Sequence, residues 1–180
     1  MIYSLIPHPG FAPSAVTGVD VEMCMADGAC TLTFQVRGAV PALPERRTSE
    51  RADELWKTTC FELFLRRSGS EGYMEMNFSP STRWAAYEFA SYREGMCDLP
   101  LRVDPKIGQI KPEDGVAYAM KVELDPTALL PGVALQANVT AVIEEADGTK
   151  SYWALAHPPG KPDFHDPACF VLELPAAKTP

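Results

Sequence analysis

The sequence predicts an all-β protein, an antiparallel β-sandwich with little helix, and three observations lead there. About ten short stretches alternate apolar with polar residues, the period of a strand with one buried face. Turn-forming pairs such as Asp27-Gly28 and Asp147-Gly148 separate them, and 17 prolines with 12 glycines suit many short strands better than long helices. The length of 180 residues suffices for one domain with a real core and is too short for two of full size, so one domain over residues 1–180 is expected.

Residues Ile2 to Ile6 make a first strand, closed by the turn Pro7-His8-Pro9-Gly10. Val19, Val21, Met23 and Met25 alternate, as do Cys30, Leu32, Phe34 and Val36, and the Asp27-Gly28 pair between them suits a tight hairpin. Gly38 to Leu55 is rich in Pro, Glu and Arg and is expected to be a long loop with one helical turn near Ser49 to Leu55. Cys97 to Gly115, with three prolines, is expected to be irregular apart from one short strand. Val116 to Leu124 alternates clearly, Asp125-Pro126 to Leu130 has the Asp cap and Pro of one helical turn, and Leu135 to Ile143 alternates again. Ser151 to Leu155 follows, and Cys169 to Leu174 closes the chain with Phe170, Leu172 and Leu174 assigned to one face.

The stretch from Leu55 to Met96 carries the functional signal and reads as three consecutive strands. In the first, Thr59, Phe61, Leu63 and Leu65 share one face, and Glu62 lies on the other with Cys60 and Phe64. In the second, Met74, Met76 and Phe78 oppose Tyr73, Glu75, Asn77 and Ser79. The third, Trp84 to Phe89, alternates less cleanly and brings Trp84 and Tyr87 close behind Asn77 in sequence. Two carboxylates on adjacent strands, with aromatics and an amide nearby, suit a polar ring-shaped ligand: flat rings cover its apolar surface and the polar groups fix its hydroxyls. Alternation alone also fits a plain solvated sheet face with Trp56 and Trp84 as rim packing.

Composition narrows the partners. Hydrophobic residues at 46% and charged residues at 22% are ordinary globular usage. The net charge of −8 and the scatter of the 16 basic residues argue against nucleic acid and against an anionic membrane surface. There is no apolar run of about 20 residues to span a bilayer. The start lacks the basic region of a secretory signal, and the five cysteines are an odd number without a CxxC pair. Reduced thiols in the cytoplasm are therefore expected.

A second unusual stretch, YWALAHPPGKPDFHDPACF, holds His157, Asp163, His165 and Asp166, residue types that bind metals or move protons. His157, Asp163 and His165 offer the composition of a metal-binding triad, although they sit in a Pro-rich loop rather than on paired strands. No GxSxG, glycine-rich phosphate loop or HExxH is present, and Cys60 has no evident base beside it. The Glu62 and Glu75 pair has the residue types of a glycosidase, but sugar-binding modules also place acids this way.

The run Trp56-Lys57-Thr58-Thr59-Cys60-Phe61-Glu62-Leu63-Phe64, followed by a Tyr strand ending in Asn (Tyr73, Glu75, Asn77), resembles the DOMON-like superfamily, which includes family 9 carbohydrate-binding modules. The ending SYWALAHPPGKPDFHDPACFVLEL is similar to one bacterial branch of DOMON-like proteins, so the resemblance covers roughly residues 1 to 175. It implies a sandwich of jelly-roll or immunoglobulin-like shape that binds sugars or haem rather than catalysing a reaction. Trp56 then matches the tryptophan that stacks on the sugar, Glu62 an acid that bonds its hydroxyls, and Arg93 an arginine of the same site. Trp84 and Trp153 are the candidates for a second aromatic. Haem-binding relatives use an axial Met and His, and neither Met76 nor His157 falls in a matching motif.

The expectation is a non-catalytic domain without a cofactor, binding a saccharide or related small molecule on a concave sheet face. Its site residues would be Trp56, Glu62, Tyr73, Glu75, Asn77, Trp84, Arg93, Trp153, His157 and His165. The alternatives are a metal-dependent enzyme using the His157, Asp163 and His165 loop, a haem-binding domain, and a domain that docks a partner protein.

Overall fold

A computed structural model describes residues 1–26, 29–125, 132–174 and 176. Among the described residues twelve strands are formed: β1 (Ile2–Pro7), β2 (Gly18–Ala26), β3 (Ala29–Arg37), β4 (Cys60–Arg67), β5 (Tyr73–Phe78), β6 (Trp84–Phe89), β7 (Cys97–Asp98), β8 (Lys106–Ile110), β9 (Val116–Leu124), β10 (Leu135–Glu144), β11 (Lys150–Ala154) and β12 (Leu172–Leu174). Helix among the described residues is limited to single 3-10 turns such as Leu55–Lys57 and Pro167–Cys169.

Every strand pairing is antiparallel. One layer runs β7-β6-β5-β4-β10-β11, with β12 also on β10, and the other runs β2-β3-β9-β8. β1 joins them: Ile2 to Leu5 pair with β2, while Ile6 and Pro7 pair with Ala154 and Trp153 of β11. One strand thus turns the corner between two layers, which removes an exposed edge from each.

The facing sides of the layers make the main core. Phe61 of β4 meets Phe34 of β3 at a ring separation of 4.6 Å and lies parallel to Tyr118 of β9 at 6.4 Å. Leu63, Met76, Val139 and Ile143 from one layer and Leu32, Val36, Met120 and Val122 from the other are fully buried there. Burying each such side chain contributes about 1.5–3 kcal/mol before chain entropy is charged against it.

The structure departs from the sequence reading in three places. The Cys97 to Gly115 stretch holds two short strands, β7 and β8, rather than one. The turn expected near Ser49 to Leu55 lies at Leu55–Lys57, where it raises Trp56. The closing strand is Leu172–Leu174 alone; Phe170 packs in a second apolar cluster and Leu174 in the main core, so they do not share a face. Phe170 is the C-cap of the 3-10 turn at Pro167–Cys169 rather than a residue of the strand. The Asp27-Gly28 turn and the residues after Asp125 through Leu130 lie outside the described residues.

A buried carboxylate ties the N-terminal segment to the sandwich. Glu145 accepts backbone N–H bonds from Ser14 (2.7 Å), Ala15 (2.6 Å) and Val16 (2.9 Å). Glu145→Ala leaves buried donors without a partner and is expected to cost about 3 kcal/mol in urea unfolding. An unchanged midpoint would show that this tie does not hold the segment.

Candidate functional site

The outer face of the β4, β5, β6 and β10 layer carries the site. Alternation puts Phe61, Leu63 and Leu65 into the core, so Cys60, Glu62 and Phe64 face outward. The register then assembles a patch across strands: Glu62 opposes Asn77 and Thr140, Phe64 opposes Glu75, and Glu75 opposes Tyr87. Glu62 and Glu75 are diagonal neighbours on adjacent strands, a relation that leaves Cβ atoms roughly 7 Å apart.

This face is covered rather than solvated. The 155–171 segment lays Phe164, His165 and Phe170 over Phe64, Tyr73 and Phe89, and the turn at Leu55–Lys57 brings Trp56 to 6.2 Å from the Tyr87 ring. Between these covers lies a pocket of about 510 Å³. Glu62 and Glu75 line it with Trp56, Tyr87, Phe89, Phe64, Tyr152, Arg93 and His165. Glu62 is 2% exposed and Glu75 6%. A solvated sheet face is therefore excluded.

Each carboxylate has one neutral partner on the floor. Thr140 Oγ1 donates to Glu62 Oε2 at 2.8 Å, and Asn77 Nδ2 donates to Glu75 Oε1 at 2.8 Å. Burial pushes Glu62 up to about 8, and the neighbouring Glu75 charge adds to the rise. Glu75 is also raised by burial, with the Asn77 bond and the Arg93 charge acting against it. At neutral pH the pair therefore holds a proton.

A chain of polar contacts fixes the cover. Tyr73, stacked on Phe89 at 4.7 Å, accepts a bond from the Arg93 backbone N–H at 3.2 Å and lies 2.7 Å from His165 Nδ1. Burial holds His165 down to about 4, with the Arg93 charge helping, so the ring is neutral. With Tyr73 donating to Nδ1, the ring proton sits on Nε2, 3.8 Å from Glu75 Oε2, a distance too long for a hydrogen bond. Arg93 bonds Asp163 Oδ1 at 2.8 Å, and Tyr92 bonds the same carboxylate. Burial opposes the charge on Asp163, but Arg93 and Tyr92 outweigh it and keep the group below its ordinary range. Arg93 has φ 56°, a left-handed conformation uncommon outside glycine, which turns its chain back over Tyr73.

Of the residues singled out in the sequence, Trp56, Glu62, Glu75, Arg93 and His165 line the pocket, and Tyr73 and Asn77 support it from the same face. Trp84 and Trp153 do not belong to it. Both are buried in the core between the layers, 6% and 2% exposed, and the Trp153 indole bonds Ser151. His157 lies off the pocket lining, its Nε2 on the Ile6 carbonyl and its ring at 5.0 Å from His8. His157, Asp163 and His165 are thus committed to three different partners, and among the described residues no group of three His, Cys, Asp or Glu could hold a metal ion. Met76 points into the core and so forms no axial pair with His157. Burial, reinforced by Glu62, keeps the Cys60 thiol protonated, the opposite of an activated nucleophile.

The sequence reading missed Tyr87 as the pocket's second aromatic wall. Tyr87 Oη donates to Asp53 Oδ1 at 2.7 Å, which orients the ring. Parity was the available signal: Trp84 and Tyr87 are three residues apart on one strand and must face opposite ways. Phe164, Tyr152 and Asp53 gave no such signal, because loop packing and non-local strand order bring them in.

No family model matches the chain, and no curated protein matches it. Among solved structures, a protein from Bacteroides uniformis ATCC 8492 presumed to bind carbohydrate shares the fold, with a TM-score of 0.72 at 15% identity over 95% of this chain and 84% of that one. A family 9 carbohydrate-binding module from Caldicellulosiruptor kristjanssonii in complex with cellotriose gives 0.48 at 10% identity over 83% of this chain and 70% of that one. The form with glucose gives 0.44 at 10% identity over 83% of this chain and 71% of that one. No helix among the described residues is long and apolar enough to cross a membrane.

Burial of the pair should be visible in stability. Folded Glu62 titrates near 8 against an ordinary 4.5, so between those values the unfolded chain holds fewer protons and stability falls as pH rises. His165 acts the other way: its folded value of about 4 lies below the ordinary 6.5, so stability is lost as pH falls through that window. Above pH 6.5 only the carboxylate effect remains. Urea midpoints should fall from about pH 6.5 to 8 in the wild type and fall less in Glu62→Gln. A flat wild-type profile would contradict a buried, uncompensated Glu62.

Proposed function

We propose that the chain is a non-catalytic binding domain, on a DOMON-like scaffold akin to family 9 carbohydrate-binding modules, and that its ligand is a saccharide or another small polyhydroxylated ring. The observation that carries this reading is one pocket with flat aromatic walls and a floor of two buried carboxylates. The pocket's size falls within the range of small-molecule sites, about 300–1,000 Å³. An aliphatic ligand would leave the floor unsatisfied, and a fully polar one would waste the walls. A sugar has apolar ring faces and hydroxyls at its edge, and answers both.

The roles follow from chemistry and position. Trp56, 39% exposed at the mouth, offers a ring face, and Tyr87 stands beside it, held by Asp53. Charged Glu75 accepts hydroxyl protons, while protonated Glu62 donates to a ring or hydroxyl oxygen. Arg93 and the His165 Nε2–H complete the polar edge. The fold shared with a presumed carbohydrate binder at a TM-score of 0.72 supports the scaffold.

Calorimetric titration with neutral mono- and oligosaccharides, glucose and cellotriose among them, tests the reading. Binding at micromolar to millimolar strength, about 4–8 kcal/mol, is expected for at least one. Trp56→Ala should weaken it at least about tenfold with the fold retained, since this side chain stands outside the core. Absence of binding across the panel, or an unaffected Trp56→Ala variant, overturns the proposal.

A further inference from the structure

We infer that the ligand carries a positively charged amino group, and that the Glu62 and Glu75 pair is its recognition element, so that the ligand class is amino sugars rather than neutral or acidic ones. This rests on the saccharide reading and sharpens it.

The first observation is a missing counter-charge. Among the described residues no Lys or Arg lies within ion-pair distance of Glu62 or Glu75. The cation at the pocket edge, Arg93, is paired with Asp163, and neutral His165 spends Nδ1 on Tyr73. The pair is thus held out of water with neutral partners only, a cost met by one retained proton whose place a ligand's cation can take.

The second observation is a surplus of acceptors. The Asn77 amide nitrogen is used by Glu75, which leaves fully buried Asn77 Oδ1 without a protein partner on the same face, beside Glu62 in the strand register. With Thr140 on Glu62 Oε2 and Asn77 on Glu75 Oε1, the second oxygen of each carboxylate is left to the pocket. An ammonium carries three donors and no acceptor, which matches this floor better than a hydroxyl does.

The third is the wall. Trp56, Tyr87, Phe89, Phe64 and Tyr152 surround the pair, and aromatic faces attract a cation. The chain's net charge of −8 favours the approach of cations and disfavours anionic sugars. Groups facing the pair are Cys60 and Tyr73 on its own strands β4 and β5, and Tyr87 with Asp53, Arg93 with Asp163, and His165 from the elements around it. None supplies a free positive charge to the floor.

Charging a ligand against the pair draws the proton off Glu62, so binding releases protons below the folded Glu62 value of about 8. The test compares glucose with its 2-amino, 3-amino and 6-amino derivatives and with N-acetylglucosamine, by calorimetry at about pH 6.5 in two buffers of different ionisation enthalpy. At least one amino sugar should bind about tenfold or more tighter than glucose and N-acetylglucosamine, with net proton release. Glu75→Gln, which keeps the shape, should bring that preference close to unity. Glucose binding as tightly as every amino derivative overturns the inference and leaves the saccharide reading standing. Absence of binding by all of them overturns the inference and leaves the saccharide reading to the oligosaccharide titration, and amino-sugar preference without proton release overturns the assignment of Glu62 to the recognition element.

Discussion

The arrangement of the pocket depends on one constraint: two carboxylates on adjacent strands are removed from water on the same sheet face. Neither has a Lys or Arg partner among the described residues, so the cost is met by one retained proton and by bonds from Thr140 and Asn77. The rest of the cover follows from that. Tyr73 is fixed between the Arg93 backbone and His165, Arg93 is fixed by Asp163, and the aromatic rings shut out the water that would otherwise solvate the pair.

The opposite face of the same strands makes this cost bearable. Phe61, Leu63, Met76 and Val139 sit one residue out of phase with the polar floor and pack against β3 and β9. The strands β4, β5 and β10 are therefore buried on both sides: apolar contacts on one set their stability, and the polar floor on the other sets their chemistry. Local consistency is broken at the pocket, where natural sequences tend to spend stability on function. The left-handed backbone of Arg93 beside the pocket belongs to the same pattern.

Much of this was legible from the sequence because a strand's period of two needs no tertiary knowledge. Glu62 facing away from Phe61 and Leu63, and Asn77 and Glu75 sharing a face, follow from alternation and recur in the structure. Trp84 lies near Asn77 in sequence, but parity turns it into the core, and Trp153 matches by residue type while its neighbours place it between the layers. The burial of the floor was not legible: it depends on Phe164, His165 and Phe170, about a hundred residues away, folding over it from a Pro-rich loop whose path alternation does not describe. The histidines of that loop looked like metal ligands by type, and their real work is hydrogen bonding to Tyr73 and to the Ile6 carbonyl.

The most direct test of the account is carbon NMR of protein labelled at the glutamate side-chain carboxyls, followed through a pH titration with and without sugar. The account requires a Glu62 resonance that titrates near 8, far above an ordinary carboxylate, and that shifts together with Glu75 when ligand is added. A Glu62 carboxyl that ionises near 4.5 and ignores every sugar would contradict it, and would return this face to the role of a structural surface.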